Sequence, residues 1–173
     1  MKKVAVILGS DSDLPTMTDC LKVFEDFGID YEITFSSAHR SPALTIKNVD
    51  KFYKQGVKVI IAAAGLAAHL AGVIAAHFPL PVIGVPLKGG ALNGVDSLYS
   101  VVQMPPGIPV ATVGIDGAKN AGLLALQILA TSDKKLERRL IDYKKELSLG
   151  VEKKAGKLKK IGWQEYINQQ NKK

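Results

Sequence analysis

A chain of 173 residues, 47% of them hydrophobic, is long enough for one well-buried core and too short for two ordinary domains. Its formal charge of +7 is uneven: residues 134–173 hold thirteen Lys and Arg against five Asp and Glu, and residues 1–133 ten against eleven, so the body is nearly neutral and the basicity belongs to the last forty residues. The single cysteine, Cys20, excludes an intramolecular disulfide, and the apolar run Val4 to Leu8 is too short for a signal-peptide core or a membrane span, so a cytoplasmic protein without membrane contact is expected.

Val4 to Leu8 is an unbroken apolar run, as in a central parallel strand buried on both faces. It ends in Gly9-Ser10-Asp11-Ser12-Asp13, where glycine allows a tight turn and the short polar residues can cap a helix beginning near Leu14-Pro15. Capping accounts for some of these residues, but the segment holds more polar groups than one cap requires. Tyr31 to Phe35 reads as the second strand, and Ser41-Pro42 as an N-cap and first residue of a helix to about Gln55. Between them lies Ser36-Ser37-Ala38-His39-Arg40, an imidazole beside a guanidinium where a strand gives way to a helix. Gly56 closes that helix, and Val57 to Ala63 reads as the third strand.

The pattern then repeats. Ala64-Gly65-Leu66-Ala67-Ala68-His69-Leu70 leads into an alanine-rich helix to about His77, so His69 stands just past a strand end, as His39 does. Val82 to Val85 reads as a fourth strand stopped by Pro86, and Lys88 to Gly94 as a glycine-rich loop able to close over a ligand. A helix from Val95 to Gln103, a fifth strand from Pro109 to Val113 and a helix from Ala121 to Thr131 follow. Ser132-Asp133 breaks and recaps the chain before a long basic helix. Leu136, Leu140, Tyr143, Leu147 and Val151 form one stripe on it, which calls for a partner surface. The tail lacks a nucleic-acid-binding motif, so a solvated helix face that packs on another subunit is the expectation.

Five βα units predict an α/β protein: a three-layer α/β/α sandwich with a flavodoxin-like or Rossmann-like parallel five-stranded sheet. Residues 1–132 would form the catalytic domain, and 133–173 a helical extension of it. The loops after the first three strands would converge on one edge and bring together Ser10, Asp13, Ser37, His39, Arg40 and His69. Arg40 suits a phosphate or a carboxylate, Asp13 a ribose hydroxyl or a helix cap, and an imidazole proton transfer near neutral pH. Familiar alternatives lack their marks. There is no G-x-G-x-x-G, no P-loop, no G-x-S-x-G elbow and no metal-ligand spacing among the three histidines. Ala64-Gly65 stands where a receiver domain would carry its phospho-accepting Asp.

Four motifs add a resemblance: Gly9-Ser10-Asp11-Ser12-Asp13, Ser37-Ala38-His39-Arg40, Ala67-Ala68-His69-Leu70, and the run Gly94 to Pro105 with Gly107-Ile108-Pro109-Val110. Over residues 4 to about 145 the chain resembles the N5-carboxyaminoimidazole ribonucleotide mutases of purine biosynthesis. The resemblance implies that Ser10 and Arg40 hold the phosphate, Asp13 the ribose, and His39 the proton transfers. Ser37, Gly65, His69 and Leu70 would line the base and the migrating carboxylate. It further implies no metal or organic cofactor, a small-molecule ribonucleotide substrate, and a homo-octamer in which the C-terminal helix reaches a neighbouring subunit. Arg40 and the Ala-Ala-His run favour the mutase branch over the branch that carboxylates aminoimidazole ribonucleotide directly. A non-catalytic nucleotide-binding module is the remaining alternative. Two departures stand out: Leu66 and Ala71 replace a Gly and a Pro usual around the second histidine, and the loop Gly114 to Lys119 is shorter than in similar sequences.

Overall fold

The computed structural model describes residues 3–171 and falls into two compact units, the first ending at Ser132 and the second beginning at Asp133. In the first unit strands and helices alternate: β1 (Val4–Leu8), α1 (Leu14–Asp26), β2 (Tyr31–Phe35), α2 (Pro42–Lys54), β3 (Val59–Gly65), α3 (Leu70–His77), β4 (Val82–Leu87), α4 (Val95–Val102), β5 (Ala111–Thr112) and α5 (Ala118–Ala130). All strand pairs are parallel, in the order β2-β1-β3-β4-β5, the flavodoxin-like arrangement expected from the repeated βα units.

Residue type explains which strands lie where. The apolar runs of β1 and β4 are buried along their whole length and β3 along its first five residues, whereas the mixed Tyr-Glu-Ile-Thr-Phe of β2 lies half-exposed at an edge. On one face Val49 and Phe52 of α2, Leu70 and Ile74 of α3 and Val101 of α4 share a core with Ala5, Ile7 and Ile60 of the sheet. On the other, α1 buries Met17, Cys20, Val23 and Phe24, at helical spacing, and packs beside α5. Cys20 is a core residue there, its thiol pushed up to about 12 by burial. Gly84 lets α4 approach β4: a Cβ on it would stand 2.3 Å from Val101 Cγ1 and 2.9 Å from Val110 Cγ1.

The third strand runs on to Gly65 and the helix read as Ala121 to Thr131 starts three residues earlier, at Ala118; three further strand boundaries differ from the sequence reading, each for a local reason. The third strand starts at Val59 rather than Val57, because the Gly56 and Val57 amides donate back to the Tyr53 and Phe52 carbonyls and close α2 in a Schellman turn. The fourth strand runs through Pro86 instead of stopping before it. The Gly84 and Pro86 carbonyls accept from the Val113 and Asp116 amides on the β5 side, and β5 pairs only with Ile83 and Gly84, so the missing Pro86 N–H faces a stretch with no ladder partner. The fifth strand shrinks to Ala111–Thr112 for the same reason, since nothing beyond those two residues is in register with β4.

The second unit is α6 (Lys134–Asn171), capped by Asp133, whose Oδ1 accepts from the Lys135 and Leu136 amides at 3.2 and 3.1 Å. The helix is not continuous. At Gly162 the backbone leaves helical geometry (φ 76°, ψ 161°), a conformation glycine adopts without a Cβ penalty. Along the predicted stripe Leu136 and Leu140 are buried, whereas Leu147 and Val151 are 53% and 67% exposed.

Candidate active site

Strand register sets the site. Leu8 lies opposite both Phe35 and Ala63, and Gly65 opposite Leu87, so the carboxyl ends of β1 to β4 open on one edge, with the order reversing between β1 and β3. The four following loops surround a cavity of about 640 Å³. It is lined by every residue that the sequence singled out: Ser10, Asp13, Ser37, His39, Arg40, Gly65, His69 and Leu70. His77 lies apart, its Nδ1 hydrogen-bonded to the Val73 carbonyl at 3.0 Å.

After β1 the chain makes a single 3₁₀ turn, Asp11–Asp13, before α1. Ser10 and Asp13 form a reciprocal cap: the Ser12 amide donates to Ser10 Oγ at 3.4 Å, and the Ser10 amide to Asp13 Oδ2 at 2.9 Å. The capping explanation of these residues is therefore correct and incomplete, because both side chains also face the cavity. Burial raises the Asp13 carboxyl above its ordinary value; the Ser10 amide opposes this, Asp11's charge reinforces it, and Arg40's charge opposes it. On Asp11, fully exposed, the Ser10 hydroxyl and the Ser12 amide act the other way, holding the carboxyl below its usual range. Arg40 and Ser10 together also line a second hollow of about 360 Å³, which shares Gly9, Ser10, Ser37 and Arg40 with the first.

The β2 loop is fastened by hydroxyls. Ser36 Oγ and Thr45 Oγ1, both buried, meet at 2.7 Å and tie the strand end to α2. Ser41 does not cap α2 as its position suggests. Its Oγ instead accepts from the Ser37 amide and donates to the Ser37 carbonyl, both at 3.1 Å, while Ser37 Oγ accepts from the Arg40 amide at 3.2 Å. Pro42, with no N–H, leaves one fewer amide at the helix start in need of a cap. The resulting tight turn presents His39 and Arg40 side by side.

His39 meets His69, from the β3 loop, with ring centroids 4.2 Å apart and planes inclined at 56°. Burial, and then the charge of His39, hold His69 below its ordinary value, against a hydrogen bond to the Ala67 backbone. Two imidazoles in contact disfavour double protonation.

The cavity's other end is built by the β3 loop and by the glycine-rich segment after β4. Leu66 lies in the left-handed region (φ 56°) and is 56% exposed, and a Cβ on Gly90 would come within 2.7 Å of Leu66 Cδ2, so the β3 and β4 loops meet at this rim. Lys88, Gly89 and Gly90 complete the lining. The Lys88 amide donates to Asp116 Oδ1 at 2.8 Å, and Asp116, itself left-handed (φ 55°), donates its amide to the Pro86 carbonyl at 2.9 Å. The loop's glycines were legible as a closing segment, but nothing in the sequence placed Lys88 in the cavity. Among the described residues no group of three or more His, Cys, Asp or Glu could hold a metal ion, and no helix is long and apolar enough to cross a membrane.

A cation and hydroxyls on the β1 and β2 loops, a pair of imidazoles in contact, and small apolar residues with a second cation, Lys88, on the β3 and β4 loops make a pocket suited to a phosphorylated ligand that undergoes proton transfer. Comparison with known proteins gives this chemistry a context. The family model described as AIR carboxylase matches residues 3–149. The N5-carboxyaminoimidazole ribonucleotide mutase of Pyrococcus horikoshii is 52% identical over 96% of this chain and 94% of its own length. The phosphoribosylaminoimidazole carboxylase of Schizosaccharomyces pombe is 49% identical over 94% of this chain, which corresponds to 30% of that longer protein. The crystal structure of Treponema denticola PurE superposes with a TM-score of 0.83 at 28% identity, covering 90% of this chain and 98% of that one.

Proposed function

The chain belongs to the AIR carboxylase family, and from that membership we propose that it is an N5-carboxyaminoimidazole ribonucleotide mutase of purine biosynthesis, an isomerase that moves a carboxyl group from the exocyclic nitrogen to ring carbon 4. The observation that carries the reading is one cavity joining Arg40, Ser10 and Asp13 to the imidazole of His39. Arg40 and Ser10 hold the phosphate, and Asp13 a ribose hydroxyl. Ser37, Gly65, His69 and Leu70 enclose the base and the carboxyl group.

The reaction asks for proton transfer and confinement. His39 protonates the carbamate nitrogen, the carbon–nitrogen bond breaks, and neutral carbon dioxide leaves a nucleophilic aminoimidazole. The enclosed site keeps the gas beside carbon 4, which attacks it to form the new carbon–carbon bond. His39, now neutral, removes the ring proton, so one imidazole serves as acid and then as base and is restored. Each step balances without an oxidant, a nucleotide triphosphate or a metal. The depressed His69 stays neutral beside it and does not compete for the proton.

Leu92, Val95, Tyr99 and Val102 leave an apolar face exposed on and before α4, and Leu147 and Val151 leave another on α6. These faces suit a homo-octamer, with residues 1–132 catalytic and 133–173 an assembly element. A buried lone thiol suits a cytoplasmic setting. Truncation after Ser132 is expected to lower the number of subunits per particle, read as the light-scattering mass divided by the mass of the truncated chain. An unchanged subunit number would free the tail for another role, which salt-sensitive retention on DNA would then identify.

The reaction itself is tested with substrate carrying a labelled carbamate carbon. A mutase retains the label in product in the presence of unlabelled bicarbonate, at neutral pH without added metal. Full dilution of the label by bicarbonate would favour direct carboxylation, and nucleotide binding without turnover a binding module.

A further inference from the structure

Two cations line the cavity, and the proposed mechanism uses only one. Arg40 follows β2 and Lys88 follows β4, with β1 and β3 between them in the sheet. Three inter-strand spacings of about 4.8 Å separate the two loops by roughly 14 Å at their roots. The His39–His69 pair comes from the loops after β2 and β3 and lies between these ends. A carboxylated ribonucleotide is likewise anionic at both ends, with a phosphate on the ribose and a carboxylate on the base. Arg40 lines a hollow together with Gly9, Ser10 and Asp11 of the β1 loop. Among the described residues no carboxylate forms an ion pair with the Lys88 ammonium.

We propose that Lys88 binds the carboxylate end of the substrate and sets the enzyme's preference for carboxylated over decarboxylated nucleotide. The inference rests on the mutase reading and deepens it. The anchoring of the loop fits this role, because the Lys88 backbone is pinned by Asp116 Oδ1, and Asp116 by the Pro86 carbonyl, so the root of this long side chain is fixed to the end of β4. An ammonium suits a group that changes charge during the reaction. It is a compact point charge on a flexible stem, able to follow the carboxylate from nitrogen to carbon, whereas a guanidinium fork fits one fixed geometry. Carbon dioxide in transit is neutral, so Lys88 stabilises the carboxylated end states more than the intermediate. Its removal therefore acts on KM far more than on kcat.

The experiment measures binding of two ligands, 4-carboxy-5-aminoimidazole ribonucleotide and aminoimidazole ribonucleotide, to the wild-type protein and to Lys88→Met, Lys88→Arg and Arg40→Ala. Lys88→Met is expected to weaken the carboxylated ligand about 10- to 100-fold, the range of a hydrogen bond to a charged group, and to leave the decarboxylated one unchanged. Lys88→Arg should restore part of the preference, and Arg40→Ala should weaken both ligands alike. In steady-state assays Lys88→Met should raise KM by a similar factor with kcat nearly intact. Equal loss for both ligands, or no loss for either, in a Lys88→Met protein with wild-type circular dichroism would overturn the inference. Label-retaining turnover by the wild-type protein is scored separately. If it is present while the ligand preference is unaltered by Lys88→Met, the inference alone fails; if it is absent, the mutase reading fails and the inference with it.

Discussion

Around the entry from β1 and β2, side chains hold the backbone: Ser10, Asp13, Ser37 and Ser41 each commit a polar group to a nearby amide, and Ser36 and Thr45 lock the strand end beneath them. Around the entry from β3 and β4, backbone conformation does the holding. Left-handed residues at Leu66, Gly90 and Asp116 turn the chain, and the walls between are Gly, Ala and Leu. The first construction preorganises dipoles and a guanidinium for an anion without reorganisation on binding. The second leaves walls of small apolar residues with the Lys88 ammonium as the charged group at their rim.

His39 stands where the two constructions touch, and replacing it separates them most sharply. His39→Asn keeps a polar side chain of similar reach and removes the titrating group. Turnover should fall by about 100- to 10,000-fold or more, since the proposed mechanism uses this one group twice. Ribonucleotide affinity, measured by calorimetry, should persist because the polar end is untouched. Near-normal turnover in a folded His39→Asn protein would transfer the proton to His69 and erase the division of labour between the two ends.

Asp13 tests the polar end, with a smaller effect. Its carboxyl is raised in the folded state, chiefly by burial, so the folded protein holds that proton to higher pH than the unfolded chain. The favourable contribution is complete below the unfolded value of 3.8 and is lost as pH rises through the raised folded value, leaving a net cost at neutral pH. Asp13→Asn removes that cost, and its amide oxygen can still accept from the Ser10 amide. Thermal stability at pH 7 should therefore hold or rise, and the difference from wild type should shrink toward zero below pH 3.8. If Asp13 holds a ribose hydroxyl as proposed, activity should drop about tenfold, the difference between a charged and a neutral hydrogen bond. A variant less stable at pH 7 than at acid pH, relative to wild type, would reverse the sign of the argument. His69 works oppositely: being depressed, it stabilises above 6.5 and that contribution is lost as pH falls through its folded value.

The same contrast explains what could be read from the chain. Polar residues at strand ends announce themselves, so Ser10, Asp13, Ser37, His39 and Arg40 were visible, and so was the sheet, because buried parallel strands must be continuously apolar. Val57 misled because an apolar residue that closes a Schellman turn looks like the start of a strand. Pro86 misled because whether a strand tolerates proline depends on how far its neighbour extends, which only the three-dimensional register records. Ser41 has the right residue type and position for a cap, yet its hydroxyl is taken by Ser37 four residues back. Lys88 was hidden for a further reason: a lysine in a glycine-rich loop is ordinary until the register of β3 and β4 turns that loop over the cavity.

The smallest effect probes the backbone-held end and its most unusual residue. A left-handed conformation costs an ordinary L-residue about 1–2 kcal/mol, and Leu66 bears that cost at φ 56° with a side chain 56% exposed, so burial returns little. Leu66→Gly removes the strain but adds about 0.5–1 kcal/mol of unfolded-chain entropy and gives up the contact with Gly90. The net change should lie within about 1 kcal/mol of zero. Leu66→Ile has the same atoms rearranged, so its transfer energy is nearly that of leucine, while branching at Cβ makes a left-handed backbone much harder to hold. It should lose about 1 kcal/mol or more, read as a melting temperature about 2–4 °C lower for each kcal/mol in a protein of this size. The order expected in thermal melts is therefore Gly close to Leu, with Ile clearly below both. If Ile instead matched Leu and Gly fell below them, the side-chain contact with Gly90, rather than backbone conformation, would be what shapes this end of the cavity.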